Sequence, residues 1–220
     1  MILDIGVECG ARYDNPAKHV SKHRVRQEEL HLPSKQHFLD LVTAIEKSDG
    51  GWNHRCADLV RFLAYGGFRK GEASKVTWAD CDFQKELIRV QGDAETGTKN
   101  WSVRYVPMID EMKQLLKRLR TERPDAKPSD SVMLVAECQG ALTTACAKVG
   151  IPRITHHDLR HLFATLCIES EVDIPTVSKW LEHSKNMAKK VTFQTRVVTE
   201  PPKSQDAPQS EAPMQEPQQA

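Results

Sequence analysis

The chain has 220 residues, with 31 lysines and arginines against 30 aspartates and glutamates, a formal net charge of +1. Its 39% hydrophobic and 28% charged residues are normal for a soluble globular protein with a real core, and the bulk charge does not announce a nucleic-acid binder. Charge is unevenly placed, however: the stretch 200–220 holds four acids and one base, which leaves 30 bases and 26 acids in residues 1–199. That mildly basic body permits a phosphate-binding face without proving one.

The six cysteines are scattered with no CxxC pair, and the start Met1-Ile-Leu-Asp-Ile-Gly lacks a basic region and a long apolar run. The expectation is reduced thiols in a soluble, cytoplasmic protein. No apolar stretch approaches the roughly 20 residues that a membrane helix needs.

In chain order, residues 1–34 read as a lead-in segment. A short amphipathic piece ends near Tyr13, and Asn15-Pro16 signals a turn. Lys18 to Arg26 is basic and poor in apolar residues; it is either a solvated linker or a tether along a phosphate backbone. The body begins at Leu32-Pro33-Ser34, with Ser34 as N-cap and Phe38, Leu39, Leu41, Val42 and Ile45 at helical spacing, ending at Gly50-Gly51. A second helix is predicted from about Asn53 to Tyr65, stopping at Gly66-Gly67. Two strands follow, Leu87 to Val90 and Trp101 to Val106, joined by the turn-rich run Gly92 to Lys99.

The remainder reads as helices over Ile109–Thr121, Glu137–Val149, His157–Glu169 and Pro175–His183, the last with proline in its first turn. From Thr199 onward the composition collapses to Pro, Gln, Ser, Glu and Ala, and a disordered tail over 199–220 is expected. The fold class is therefore mainly α with a small antiparallel β-sheet (α+β).

Three local signals carry chemistry. The first is Arg69 in Gly66-Gly67-Phe68-Arg69-Lys70-Gly71-Glu72, just past a helix end. The second is Lys99 at a hairpin tip, before Arg104-Tyr105-Val106-Pro107. The third is His156-His157-Asp158-Leu159-Arg160-His161, with Trp180-Leu181-Glu182-His183 further on. Singly, each has an ordinary reading: Arg69 capping carbonyls, Lys99 in a solvated turn, and His157 with His161 at half-zinc-site spacing. The zinc reading fails for want of the glutamate of HExxH and because Arg160 sets a fixed charge beside the metal, so no metal or other cofactor is expected. A helix-turn-helix built on Ile174 to His183 fails for want of a turn glycine and an exposed basic recognition helix.

Taken together, two guanidiniums, one ammonium and two imidazoles suit a pentacoordinate phosphate handled without metal. Arginine forks hold non-bridging oxygens, a lysine protonates a leaving alkoxide, and histidine moves a proton near neutral pH.

On these motifs the chain resembles the tyrosine recombinases of the phage integrase family. Tyr65 to Ala73 with Trp78 to Phe83 looks like their first arginine box, and His157 to Thr165 looks like their highly specific HxLRH box. Leu181-Glu182-His183 is similar to their LGH motif, with His183 lying 23 positions after Arg160. The resemblance implies the catalytic-domain fold over 35–198, preceded in 1–34 by a linker and remnant of the N-terminal core-binding domain. It implies double-stranded DNA as partner and a prokaryotic, phage or mobile-element context; for want of an apolar span, no membrane is expected. It implies that Arg69 and Arg160 bind the scissile phosphate and that Lys99 protonates the 5′-oxygen leaving group. His157 would act as acid/base, and His183 would hydrogen-bond a phosphate oxygen.

A tyrosine about nine residues beyond His183 would attack to form the 3′-phosphotyrosyl link, and there the sequence departs. Its three tyrosines are Tyr13, Tyr65 and Tyr105, and the expected place holds Thr192 or Phe193. Phenylalanine keeps the ring and loses the nucleophilic oxygen. Glu182 also replaces the glycine of LGH, and Glu171 replaces a glycine expected at a helix C-terminus. An internal deletion joining Leu181 to the segment beyond the nucleophile would account for the first two departures together. The expectation is a recombinase of impaired cleavage. The alternative is a non-catalytic DNA-binding or assembly module that regulates an intact recombinase or self-associates.

Overall fold

The structure is a computed structural model, and it describes residues 2–21, 30–92 and 103–181. Eight α-helices and three strands are present among these residues. The lead-in holds α1 (Ile2–Glu8), which buries none of its side chains, and a 3-10 turn at Pro16–His19 capped by Asn15. The basic run predicted at 18–26 lies largely outside the described residues, as does the tail 199–220.

Packing starts at Leu32, which is already in the core. Helix α2 (Lys35–Glu46) follows the Ser34 cap, whose Oγ accepts from the His37 N–H at 3.2 Å, and it buries Phe38, Leu41, Val42 and Ile45. It ends four residues before the predicted glycines because Ser48 Oγ donates to the Ile45 carbonyl at 2.7 Å and Asn53 Nδ2 reaches the Ser48 carbonyl, turning the chain early.

Helix α3 (Asn53–Gly66) is the hub of the fold, packed against α2, α5 (Asp110–Glu122) and α7 (His156–Glu169). Burial of Ala57, Leu59, Val60, Phe62, Leu63 and Ala64 on it explains why it sits at the centre. Its end is set by Gly67 at φ +60°, whose N–H closes on the Leu63 carbonyl at 2.9 Å. The short helix α4 (Lys70–Ala73) follows at once, so that the chain turns sharply at Arg69.

The sheet has three antiparallel strands in the order β1 (Cys81–Asp82), β2 (Leu87–Gln91), β3 (Val103–Pro107). Register pairs Cys81 with Ile88 and Arg89 with Tyr105. Ile88, Val90, Arg104 and Val106 face inward, while Arg89, Val103 and Tyr105 face out. The sequence does not announce β1: two residues show no alternation, and they are strand only because Asp82 Oδ1 caps the Gln84 and Lys85 N–H groups and folds the chain back onto β2.

On α5, Met112, Leu115, Leu116 and Leu119 form the buried face. Helix α6 (Gln139–Val149) begins two residues later than expected, since the Glu137 carboxylate stays outside the helix and accepts from the Cys138 and Gln139 N–H groups. Helix α7 begins at His156 through a reciprocal cap between Thr155 and Asp158. Helix α8 (Ile174–Trp180), capped by Asp173, is shorter than the predicted 175–183; Leu181 closes it, and residues from 182 onward are outside the described set. Among the described residues no helix is long and apolar enough to cross a membrane.

The glycine expected after α7 has a conformational basis. Glu171 sits at φ +62°, with its N–H on the Ile168 carbonyl at 3.0 Å, a left-handed helix stop that favours glycine. Glu171→Gly is therefore expected to stabilise the fold by about 0.5–1 kcal/mol. Urea denaturation checks this; an unchanged or lowered midpoint contradicts it.

Candidate functional site

The site forms where the turn after α3, the inner face of β3, the start of α7 and the end of α8 converge on Glu72. This carboxylate is 4% exposed and sits on α4. Its local role is to return to the Arg69 N–H at 2.8 Å, which fixes the turn. Three guanidiniums then surround it. Arg69 Nη1 is 2.7 Å from Oε1, Arg104 spans both oxygens at 3.0 and 2.5 Å, and Arg160 Nη1 lies 3.9 Å from Oε2. Burial works to raise the Glu72 carboxyl, but the hydrogen bonds and charge of Arg104 and the contacts of Arg69 outweigh it and bring it down to about 2. The carboxylate stays ionised, and the cluster holds three positive charges against one negative.

Two of the predicted site residues, Arg69 and Arg160, thus meet across one carboxylate although they are 91 positions apart. They are not equally placed. The Arg69 side chain is 36% exposed, whereas Arg160 is 2% exposed, with Nη1 on the Gly67 carbonyl at 2.6 Å and Nη2 on the Leu181 carbonyl. Arg160 therefore also ties the end of α3 to the end of α8.

His157 lies one turn before Arg160 on α7 and is exposed, its ring edge-on to His161 with centroids 4.6 Å apart. Partial desolvation, then the charges of Arg160 and Arg69, pull its pKa down. At neutral pH it is an uncharged imidazole beside fixed cations, able to accept a proton. Behind it, His156 Nε2 contacts the buried Cys138 Sγ at 3.1 Å and lies 3.5 Å from Glu137, which is held by Lys70 at 2.5 Å. Burial pushes the Cys138 thiol up to about 12, so this pair anchors the start of α7 as neutral groups.

Lys99 and His183, the other two predicted site residues, lie outside the described residues, as do Glu182, Thr192 and Phe193. Of the three tyrosines, Tyr65 is half-buried on α3 against Phe38, Tyr105 faces outward from β3, away from Arg104, and Tyr13 is fully exposed in the lead-in.

The sequence reading missed Glu72 and Arg104. Glu72 carries a signal, a carboxylate three residues after Arg69 at a helix start. Arg104 carries one only once the inward face of β3 is known.

The profile of the phage integrase family matches residues 34–190, more than half of the chain. The chain belongs to the phage integrase family. Among curated proteins it is 28% identical over 183 residues to a XerC-like tyrosine recombinase of Caldanaerobacter subterraneus subsp. tengcongensis, covering 66% of this chain and 46% of that protein. It is 32% identical over 126 residues to the tyrosine recombinase XerA of Saccharolobus solfataricus, covering 57% of this chain and 40% of that one. The chain thus spans less than half the length of these two relatives.

Among solved structures, XerA recombinase superposes with a TM-score of 0.61 at 22% identity, over 78% of this chain and 62% of that one. The catalytic domain of bacteriophage HP1 integrase superposes with a TM-score of 0.55 at 21% identity, over 74% of this chain and 88% of that domain. The fold of this integrase-family member is that of a tyrosine-recombinase catalytic domain, mostly helical with a small antiparallel sheet, as the sequence predicts.

Proposed function

We propose that this chain binds a phosphate of double-stranded DNA through Arg69, Arg160 and His157, with Lys99 and His183 as further contacts, and does not cleave it. The observation that carries the reading is the cluster at Glu72, where three guanidiniums outnumber one carboxylate beside an uncharged imidazole. Such a site attracts a phosphodiester and stabilises charge on its oxygens. Support also comes from structural neighbours that were solved on DNA, including the Tn1549 transposon integrase with circular intermediate DNA, at TM-score 0.60 and 18% identity.

Cleavage in the recombinase manner needs an attacking phenol that leaves again when the strand is rejoined. Thr192 and Phe193 occupy the place expected for it; phenylalanine has no oxygen, and a threonine alcohol is a far poorer nucleophile and leaving group. A recombinase domain that keeps its cations and lacks this group becomes a DNA-binding or assembly module. The same loss favours a partner role beside an intact recombinase or a second copy.

Nicked suicide duplexes test this. The expected result is salt-sensitive binding with no covalent adduct on a denaturing gel; an adduct overturns the loss of cleavage, and absence of binding overturns the DNA reading. Arg69→Gln is expected to flatten the dependence of log K on log salt by about 0.9 for each phosphate that the side chain neutralises in the parent chain. Titrations at several salt concentrations measure that slope, and an unchanged slope removes Arg69 from the site.

A further inference from the structure

We propose that Arg104 is a positioning residue of this site: by holding both oxygens of Glu72, it takes up much of that carboxylate's charge and so weakens its hold on Arg69 and Arg160. The proposal rests on the reading that these two arginines face a DNA phosphate.

Arg104 is committed to acceptors of the protein itself. Its side chain is 5% exposed and faces inward from β3 beside Val106. Nη1 and Nη2 take Oε1 and Oε2 of Glu72 at 3.0 and 2.5 Å, and Nε takes the Trp180 carbonyl at 2.7 Å. The fork is thus fixed on one side by a carboxylate and on the other by the last turn of α8, an arrangement a lysine cannot reproduce. Arg69 meets the same carboxylate through Nη1 at Oε1, and Arg160 stands 3.9 Å from Oε2.

Charge counting shows what this does. With Arg104 present, three guanidiniums and one carboxylate leave a net of two positive charges for an incoming phosphate. Without it, Arg69 and Arg160 share one carboxylate and the net falls to one. No other guanidinium then shares Glu72 with these two, so it holds more tightly the arginines that the phosphate needs. An internal anion and an external one compete for the same donors, and Arg104 decides that competition. If Arg104 were only a core ion pair, Arg104→Met alone would change stability and leave the DNA affinity of the folded chain as it was.

The test uses the full 220-residue chain, a fluorescent duplex of arbitrary sequence, and anisotropy at fixed salt. Arg104→Met is expected to weaken binding about tenfold, and Arg104→Lys, which keeps the charge and loses the fork, by less. The double variant Glu72→Gln/Arg104→Met restores two positive charges with no competing carboxylate, and should return to within about threefold of the parent chain. Lys148→Met, an exposed charge loss at the end of α6, controls for net charge and should have little effect.

Should Arg104→Met fail to fold, the comparison is made in the Glu72→Gln background. There, removing Arg104 should cost no more than the control, and a tenfold loss overturns the proposal. A second readout needs no DNA: phenylglyoxal labelling of Arg69, followed by mass spectrometry, should slow in Arg104→Met or Arg104→Lys and recover in the double variant. Labelling that follows this pattern in a chain without DNA affinity would retain the positioning role and discard the DNA reading. Unchanged labelling overturns the positioning role itself.

Discussion

Replacing Gly67 with alanine is expected to lower stability by about 2–4 kcal/mol and to weaken DNA binding with it. Two costs add at this position. The residue stands at φ +60°, where an L side chain is strained by about 1 kcal/mol. A Cβ there would lie 2.5 Å from Phe163 Cδ1 and 2.7 Å from Leu181 Cδ2, closer than real contacts allow. Both neighbours are 3% exposed, so neither can retreat into solvent, and overpacking costs about 1–3 kcal/mol more. The functional effect follows from the same peptide, because the Gly67 carbonyl accepts from Arg160 at 2.6 Å. Moving the backbone to relieve the clash moves the group that orients that guanidinium. Gly150 supplies the comparison: it is also left-handed, at φ +77°, but a Cβ there meets nothing within 4 Å. Gly150→Ala should cost only the conformational part, about 1 kcal/mol, and leave DNA affinity unchanged. Equal urea midpoints for the two variants would refute the packing argument.

What the sequence made legible was what local physics controls. Helical spacing put Phe38, Leu41, Val42 and Ile45 on the buried face of α2, although Leu39 of the same pattern is 46% exposed, and the Ser34 cap and the stop at Gly67 lie where the residue types put them. Arg69, His157 and Arg160 were legible as motifs, and the structure brings Arg69 and Arg160 together at Glu72 with His157 one turn away. What escaped depends on tertiary context. Alternation along Val103-Arg104-Tyr105-Val106 alone would turn Val103 and Tyr105 inward. The fold turns Arg104 inward because Glu72 and the Trp180 carbonyl wait there, contributed by elements 32 and 76 positions away. The late start of α6 escaped for a similar reason, since Glu137 is drawn out to Lys70 and to the capped N–H groups. The reading of Arg160 as a phosphate ligand also gains a second role that no local pattern carries: it bridges two carbonyls that chain direction sets far apart.

Glu72→Gln is expected to lower stability near neutral pH by about 3–5 kcal/mol, and the deficit should shrink as the solution is made acidic. The amide cannot hold the charge-assisted fork of Arg104, and it leaves a guanidinium that is 5% exposed without its counter-ion. The pH dependence follows from the depressed carboxyl. Its pKa is about 2 in the folded chain against an ordinary 4.5, so the stabilisation is fully present above about 4.5 and is lost as pH falls toward 2. That shift corresponds to about 3 kcal/mol, roughly half of which is gone by pH 3. Glu137 is also depressed to about 2, first by its hydrogen bond from Lys70, but both side chains are more than half exposed and solvent screening leaves little stability in that pair. His156, His157 and His161 are shifted downward, chiefly by burial, so they weaken the fold as pH falls below about 6.5. They do so in parent and variant alike. The difference between the two urea-unfolding series should therefore stay flat from pH 7 to about 5 and close below it. A difference that persists unchanged to pH 3 would mean that Glu72 contributes by shape and not by charge, and with it would go the account of the cluster as three guanidiniums organised by one anion.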